Sequence, residues 1–355
     1  MSADNVVLMK GNEAASEGAI AGGCRFFFGY PITPQNEIPE YMARHMPEVG
    51  GVYLQAESEV ASINMVFGAA AAGARVMTSS SGPGISLMQE GLSYIIGARL
   101  PCVVVDMARG GPGLGNIATS QSDYWLATRG GGHGDGRCLT LAPAGLQELY
   151  DLCGEAFDIA DRYRHPVVIL GEAALGQMME PVTLRPREAF TAPPKPWAVG
   201  GLREGRPANL ANSLYAQPPD LARENQKLMD LYDQVQQELV RWEETGDDNP
   251  EVLLVAFGIV ARCCQTAMER AAEAGVRSRL FRPITLFPFP TTALREAAGR
   301  APQTLVVEAS GGQMVDDVRI AVGDRSPVTL MRKLGGLMIT PEEIAARLAE
   351  IAGRA

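Results

Sequence analysis

Short apolar runs alternate with helical patterns through the first 180 residues. The runs at 24–28, 52–55, 75–78, 102–107, 138–141 and 167–170 have the length and composition of strands. Such alternation predicts a parallel sheet covered by helices. Around 181–250 the pattern changes to a proline-rich stretch (PVTLRPREAFTAPPKPW), a glycine pair and a polar amphipathic segment at 228–244 ending in TGDDNP. This region reads as a connection carrying one helix. From Glu251 a second alternating series begins: EVLLVAFG, a helix from Cys263 to Ala274, RSRLFRPITLF, a helix near Leu294, TLVVEAS and VTLMRKLG. Its last helix opens on Thr340, Pro341 and Glu343, an N-cap, a first-position proline and the acid of a capping box. The expected organisation is an α/β domain over 1–185, a linker with one polar helix over 186–249, and a second α/β domain over 250–355. No internal repeat of 20 to 50 residues is evident.

One helix breaks the amphipathic pattern. The segment QAESEVASINMVFGAAAAGA at 55–74 is almost wholly small and apolar, yet carries Glu59 near its start. A helix apolar on every side is expected to be buried. A carboxylate buried with it must be paired, protonated or at work, because desolvating an unpaired charge is costly. Two plainer readings compete: Glu59 gains roughly 0.3 to 1 kcal/mol from the helix dipole in the first turn, or it reaches solvent.

The chain has 355 residues, enough for two full cores. With 31 basic and 41 acidic residues, a net charge of −10 and no basic stripe, it carries no nucleic-acid footprint. No apolar stretch approaches a membrane span, and the opening MSADNVVLMKGNE lacks a signal-peptide pattern, so a cytoplasmic location without membrane contact is expected. The six cysteines (Cys24, Cys102, Cys138, Cys153, Cys263, Cys264) form no CxxC pair, and His45, His133 and His165 lie far apart. No metal or iron–sulfur site built by this chain alone is expected.

In open parallel sheets ligands bind beyond the carboxyl ends of strands, which singles out four loops. In Gly29-Tyr30-Pro31-Ile32-Thr33-Pro34, Thr33 and Pro34 read as an N-cap with proline at the first helical position; the alternative is that the Thr33 hydroxyl and the amides of that helix start receive an anion. The small residues of 79–84, SSSGPG, allow close approach by a ligand or partner, though a tight strand-to-helix turn needs similar residues. Arg109, before a glycine-rich loop, can present its planar fork to a carboxylate, or simply pair with Asp106 or Glu59. The loop at 130–136 contains Gly134-Asp135-Gly136 but lacks the leading strand and later asparagine of a magnesium site, so it reads as a mobile glycine loop in which His133 has no assigned role. Neither GxGxxG nor a Walker A sequence occurs.

These loops in this order resemble the alpha subunit of the 2-oxoacid:ferredoxin oxidoreductases, most closely the 2-oxoisovalerate (3-methyl-2-oxobutanoate) branch with separate subunits. The resemblance is carried by GCRFFFGYPITPQNEIPEYM, QAESEVASINMVFGAAAAGARVMTSSSGPGISL, RGGPGLG, GGGHGDGR, FRPITLFPFP and VVEASGGQMVDDVR. It spans about residues 5–180 and 250–350 and is weak across 185–245. It implies a first domain like the pyrimidine-binding domain of thiamine diphosphate enzymes and a second like the carboxy-terminal domain of transketolase-type enzymes.

By the same resemblance, Glu59 matches the glutamate that hydrogen-bonds the cofactor's aminopyrimidine and promotes the imino tautomer that removes the thiazolium proton. Glu57, on a different face, ranks second. Thr33 and Arg109 match contacts to the substrate carboxylate. Tyr30 and Ile32 would line the substrate side of the cleft, and Pro31, Ser81 and Gly82 the cofactor side. The reaction implied is oxidative decarboxylation of a 2-oxoacid, with acyl transfer to coenzyme A and reduction of ferredoxin.

The chain lacks a diphosphate and magnesium motif and cluster cysteines. The resemblance therefore implies an obligate hetero-oligomer: a beta subunit gripping the diphosphate, with Mg2+ and [4Fe-4S] clusters held by partners that include gamma and ferredoxin-like delta subunits. Gly136 departs from the family pattern, in which a bulkier residue follows the aspartate, and this bears on loop shape. Three alternatives stay open: the same complex acting on aryl 2-oxoacids or 2-oxoglutarate, the pyrimidine-binding component of a lipoamide-linked 2-oxoacid dehydrogenase, and a catalytically silent subunit of the same architecture.

Overall fold

The computed structural model describes residues 5–185, 191, 193–201 and 208–354. The chain opens with a two-stranded antiparallel ribbon, β1 (Asn5–Lys10) against β8 (Met179–Leu184). A seven-stranded sheet then contains β2 (Phe26–Gly29), β3 (Val52–Gln55), β4 (Val76–Ser80), β5 (Cys102–Ala108), β6 (Leu139–Leu141) and β7 (Pro166–Glu172). Its spatial order is β12-β6-β7-β5-β4-β2-β3, where β12 (Thr285–Phe287) comes from the second half. All neighbours are parallel except β12, which runs antiparallel to β6. The central strands β4, β5 and β7 are buried along their whole length, as expected of strands in a parallel sheet covered on both faces, and they bury polar residues only toward their carboxyl ends.

The helices of the first half are α1 (Gly11–Ala21), α2 (Glu37–His45), α3 (Glu59–Ala71), α4 (Pro83–Gly97), α5 (Tyr124–Thr128), α6 (Leu146–Tyr163) and α7 (Ala173–Gln177). One face of the sheet packs on α1, α2 and α6, and the other on α3 and α4. The polar segment forms α8 (Pro218–Glu238), a longer helix than its pattern suggests, which buries Leu231 and Val235.

The second sheet has the order β14-β13-β10-β11-β9, with β9 (Trp242–Gly246), β10 (Val252–Val255), β11 (Ser278–Pro283), β13 (Thr304–Glu308) and β14 (Val328–Arg332). Its helices are α9 (Gly258–Glu273), α10 (Thr291–Ala298), α11 (Met314–Val322) and α12 (Pro341–Ile351). The expected capping box is present at α12: Thr340 Oγ1 accepts the Glu343 amide at 3.3 Å, and Glu343 Oε2 accepts the Thr340 amide at 2.9 Å. The α3/α4 core continues without a break into Phe257, Phe281, Leu294 and Met314 of the second half.

Two elements depart from the reading of the sequence. The run RSRLFRPITLF is two strands, β11 in the second sheet and β12 in the first, because the backbone around Ile284 is drawn across to Arg241 and Ala142. Residues 242–246, within the stretch read as linker, form β9 and pair antiparallel with β11.

Candidate active site

Ser58 caps α3 by accepting the Ala61 amide at 3.1 Å, which makes Glu59 the first residue of the helix. Glu59 is only 5% exposed and makes no hydrogen bond or ion pair with a described residue. The plainer reading of a first-turn acid holds for its position, and the small exposure that remains leaves the carboxylate largely but not wholly withdrawn from water. It lies against the turn after β4: a Cβ on Gly84 would come within 2.6 Å of Glu59 Oε1 and 2.0 Å of Ser80 Oγ. Only glycine fits there.

The helix is not buried on every side, as its composition suggested. Val60, Asn64, Gly68 and Ala72, four residues apart, are exposed. The sheet and α4 cover only the opposite side.

The Thr33 loop corrects a second expectation. Thr33 and Pro34 do not cap a helix, since α2 begins at Glu37. Tertiary contacts hold the intervening turn instead. Asn12 Nδ2 and Gln177 Nε2 each donate to the Pro34 carbonyl at 2.8 Å, and the same two groups and Lys10 Nζ hold the Glu37 carboxylate. Thr33 is exposed, its hydroxyl accepting from Asn36 Nδ2 at 3.3 Å, so no row of helix amides stands behind it. Tyr30 and Ile32 are half-buried and Pro31 is exposed.

Arg109 follows β5 and bridges Thr119. Its Nη1 donates to the Thr33 carbonyl at 2.8 Å and its Nη2 to the Leu114 carbonyl at 3.1 Å, while Nε is buried without a partner. It forms no ion pair with Asp106, Glu59 or any other described acid, so its charge remains available to an anion. Arg109 also packs on Gly82, in the turn that starts α4. The structure thus joins Arg109 to Thr33 and to Gly82, and Glu59 to Ser80 and Gly84.

A cavity of about 800 Å³ opens beside Arg109. The first half supplies Gly82, Pro83, Leu87, the 110–113 loop, Asp123 and Leu126, and the second half Ala309–Gly311, Gln313, Leu334 and Gly335. Thr33 faces a different cavity of about 430 Å³, shared with Ile117–Thr119 and α7. Tyr30, Pro31, Ile32, Glu59 and Ser81 line neither. The 130–136 loop is exposed through Asp135 and is tied down where the Gly131 amide donates to Gln89 Oε1 and Ser93 Oγ donates to the His133 carbonyl.

Two acids that the sequence did not single out as site residues stand at this end of the sheet. Asp106 is fully buried in β5 and both of its oxygens lack partners; burial, and then the nearby Asp123 carboxylate, hold its pKa well above the usual range. Burial pushes Asp123 up to about 6, opposed by the Gly82 amide and by Arg109. The buried hydroxyls of Thr78, Ser80 and Ser81 are also unpartnered. The one visible signal was an acid inside the apolar run CVVVDMA.

A contrasting cluster joins the two sheets. Gln121 Nε2 donates to Glu172 Oε1 at 2.7 Å and to the Phe257 carbonyl at 2.9 Å, and its Oε1 accepts the Ala309 amide at 3.1 Å. Burial raises Glu172 to about 7. Among the described residues no group of three or more His, Cys, Asp or Glu is placed to hold a metal.

Comparison with known proteins gives two family matches: pyruvate flavodoxin/ferredoxin oxidoreductase, thiamine diP-bdg, over residues 17–243, and pyruvate:ferredoxin oxidoreductase core domain II over 250–344. The ketoisovalerate oxidoreductase subunit VorB of Methanothermobacter thermautotrophicus is 47% identical over 98% of both chains. The 2-oxoglutarate synthase subunit KorA of Archaeoglobus fulgidus is 40% identical over 88% of this chain and 90% of that one. Among solved structures, a 2-oxoglutarate:ferredoxin oxidoreductase from Magnetococcus marinus with 2-oxoglutarate, coenzyme A and succinyl-CoA bound aligns with a TM-score of 0.88 at 29% identity, covering 98% of this chain and 65% of that chain. A split-gene transketolase shares the fold at a TM-score of 0.61 and 14% identity.

Proposed function

The chain belongs to the pyruvate flavodoxin/ferredoxin oxidoreductase family, and we propose that it is the alpha subunit of a complex that oxidatively decarboxylates a 2-oxoacid of the 2-oxoisovalerate type to its acyl-CoA. The observation that carries this reading is Glu59, a largely buried acid with no partner among the described residues, at a helix start packed against the small residue Gly84 of the neighbouring turn. That arrangement fits the aminopyrimidine of thiamine diphosphate, a heterocycle able to take a hydrogen bond from the acid. Glu59 would hold the ring, with the small residues Ser81 and Gly82 of the neighbouring turn beside it.

Thiamine diphosphate supplies the electron sink for decarboxylation when bound. The chain's own residues orient the reactants. Arg109, fixed by two carbonyls yet unpaired in charge, meets the oxoacid carboxylate, with Thr33 joined to it and Tyr30 and Ile32 along the same loop. Among the described residues that line the cavity beside Arg109 there is no second cation, and Pro83, Leu87, Leu126, Pro112 and Leu334 supply its apolar wall. This favours a monocarboxylic oxoacid with an aliphatic side chain over 2-oxoglutarate, whose second carboxylate would be buried unpaired.

A beta subunit would grip the diphosphate through Mg2+, and gamma and delta subunits would carry [4Fe-4S] clusters to ferredoxin. The open stripe Val60, Asn64, Gly68 and Ala72, next to Glu59, is a fitting seat for such a partner, as are Val52 and Leu54 on the edge strand β3. The experiment is to purify the native complex, identify its co-migrating chains and follow dye reduction with a panel of 2-oxoacids with and without coenzyme A. CoA-dependent reduction with 2-oxoisovalerate is expected; a preference for 2-oxoglutarate, or no oxoacid activity, overturns the reading.

A further inference from the structure

The cavity beside Arg109 has a single acid on its wall, Asp123. Its Oδ2 is buried without a partner, and its carboxylate takes the Gly82 amide. Directly behind the wall stand the unpartnered oxygens of Asp106 and the unpartnered hydroxyls of Ser80, Ser81 and Thr78. The charged groups facing Asp123 are Arg109 and Asp106. Arg129 and Asp317, near α5, pair with one another at 3.0 Å, and the second half presents only Ala309, Ser310, Gly311, Gln313, Leu334 and Gly335 to the cavity. Nothing in the fold uses Asp123 beyond the Gly82 amide, and a buried acid left with a free oxygen at a cavity wall is placed to exchange a proton with whatever fills the cavity.

We propose that Asp123 is the proton acceptor for the thiol that receives the acyl group. The inference rests on the function proposed above, in which the acceptor is coenzyme A. The thiol S–H bond breaks, its electron pair stays on sulfur, and the proton passes to the Asp123 carboxylate, leaving a thiolate and a neutral carboxyl. That carboxyl returns the proton to solvent through the cavity mouth once the product has left. Burial places Asp123 at about 6, so at neutral pH it is mostly ionised and still a competent base. Asp106, deeper still, has its charged form disfavoured by burial and by the Asp123 carboxylate.

The test uses the assembled complex carrying Asp123→Asn, which keeps an oxygen for the Gly82 amide and so removes the base rather than the turn. Acyl-CoA formation is expected to fall roughly 10²-fold more than CoA-independent decarboxylation measured on the same preparation. The acid limb of the CoA-dependent rate near pH 6 is expected to disappear, and Asp123→Glu to restore part of the rate. Independently of turnover, pH-difference infrared spectra of the substrate-free complex should show a carboxylate band growing in through about pH 6 that Asp123→Asn lacks. Equal losses in both steps, an unmoved acid limb or an absent band would overturn the assignment. If oxoacids turn over normally and only the thiol step is indifferent to Asp123, this inference fails alone; if the wild-type complex turns over no oxoacid, both readings fail together.

Discussion

Two fully buried acids at the carboxyl ends of the two sheets meet opposite treatment. Glu308, which closes β13, accepts the Ser310 hydroxyl and the amides of Gln313, Met314 and Val315 at 2.8–3.0 Å, so it caps the start of α11. Asp106, near the end of β5, accepts nothing, and the largely buried Glu59 beside the same sheet has no hydrogen-bond or ion-pair partner among the described residues. A carboxylate saturated by backbone amides is structural, since its charge is already spread over the donors that hold it. Carboxyls left without donors in equally dry surroundings are the ones arranged for something that comes and goes. In the reading proposed above, the carboxyl end of the first sheet carries the chemistry and that of the second supplies a fixed wall.

This contrast can be broken from either side. The largest effect is expected from Glu59→Gln, which should lower acyl-CoA formation by roughly 10³-fold in an assembled complex of unchanged composition. Near-normal turnover would remove Glu59 from the mechanism. On the other side, Glu308→Ala should cost about 3 kcal/mol of stability in urea unfolding, because it strips the partner from several buried donors at once. An unchanged unfolding midpoint would mean that this carboxylate is not the structural one.

Arg109→Ala should raise the oxoacid concentration needed for half-maximal rate about 10²-fold with a smaller change in the maximum, as expected when a charge-assisted contact to substrate is lost. If the requirement stayed the same, the carboxylate contact would belong to another residue.

The smallest effect concerns Glu172, a buried acid between the two extremes because it has two donors, Gln121 Nε2 and the Ile259 amide, where Glu308 has four and Asp106 none. Its pKa is raised from the usual 4.5 to about 7, so the folded protein keeps a proton that the unfolded chain releases. Its stabilising contribution is full below about pH 4.5 and is lost as pH rises to about 7. Glu172→Gln should flatten that part of the stability profile in urea titrations. A slope of the opposite sign in the wild type would contradict a raised Glu172.

Much of the first sheet was legible in the chain, because β3, β4, β5, β6 and β7 are apolar runs whose identity depends on local composition. Less legible were β9 and β12, whose pairing depends on residues 33 or more positions away or on the opposite half, and β1, whose partner β8 lies some 170 residues on. The Thr33–Pro34 pair has the local chemistry of a helix start, yet Asn12 and Gln177 fix that turn from a distance. At the site, Glu59 and Arg109 stood out because each is a charged residue in an unusual setting. Asp123 gave no sign, since the groups that face it, Gly82 and Arg109, come from other stretches of the chain.

The placement of β12 ties the fates of the two halves together. A chain divided near residue 250 would take from its first piece a border strand, leaving the main-chain groups of β6 open to any passing polypeptide. Swapping the second half for that of a relative would therefore also re-edge the first sheet, so grafts made at that junction should be judged by their tendency to self-associate before their catalysis is compared.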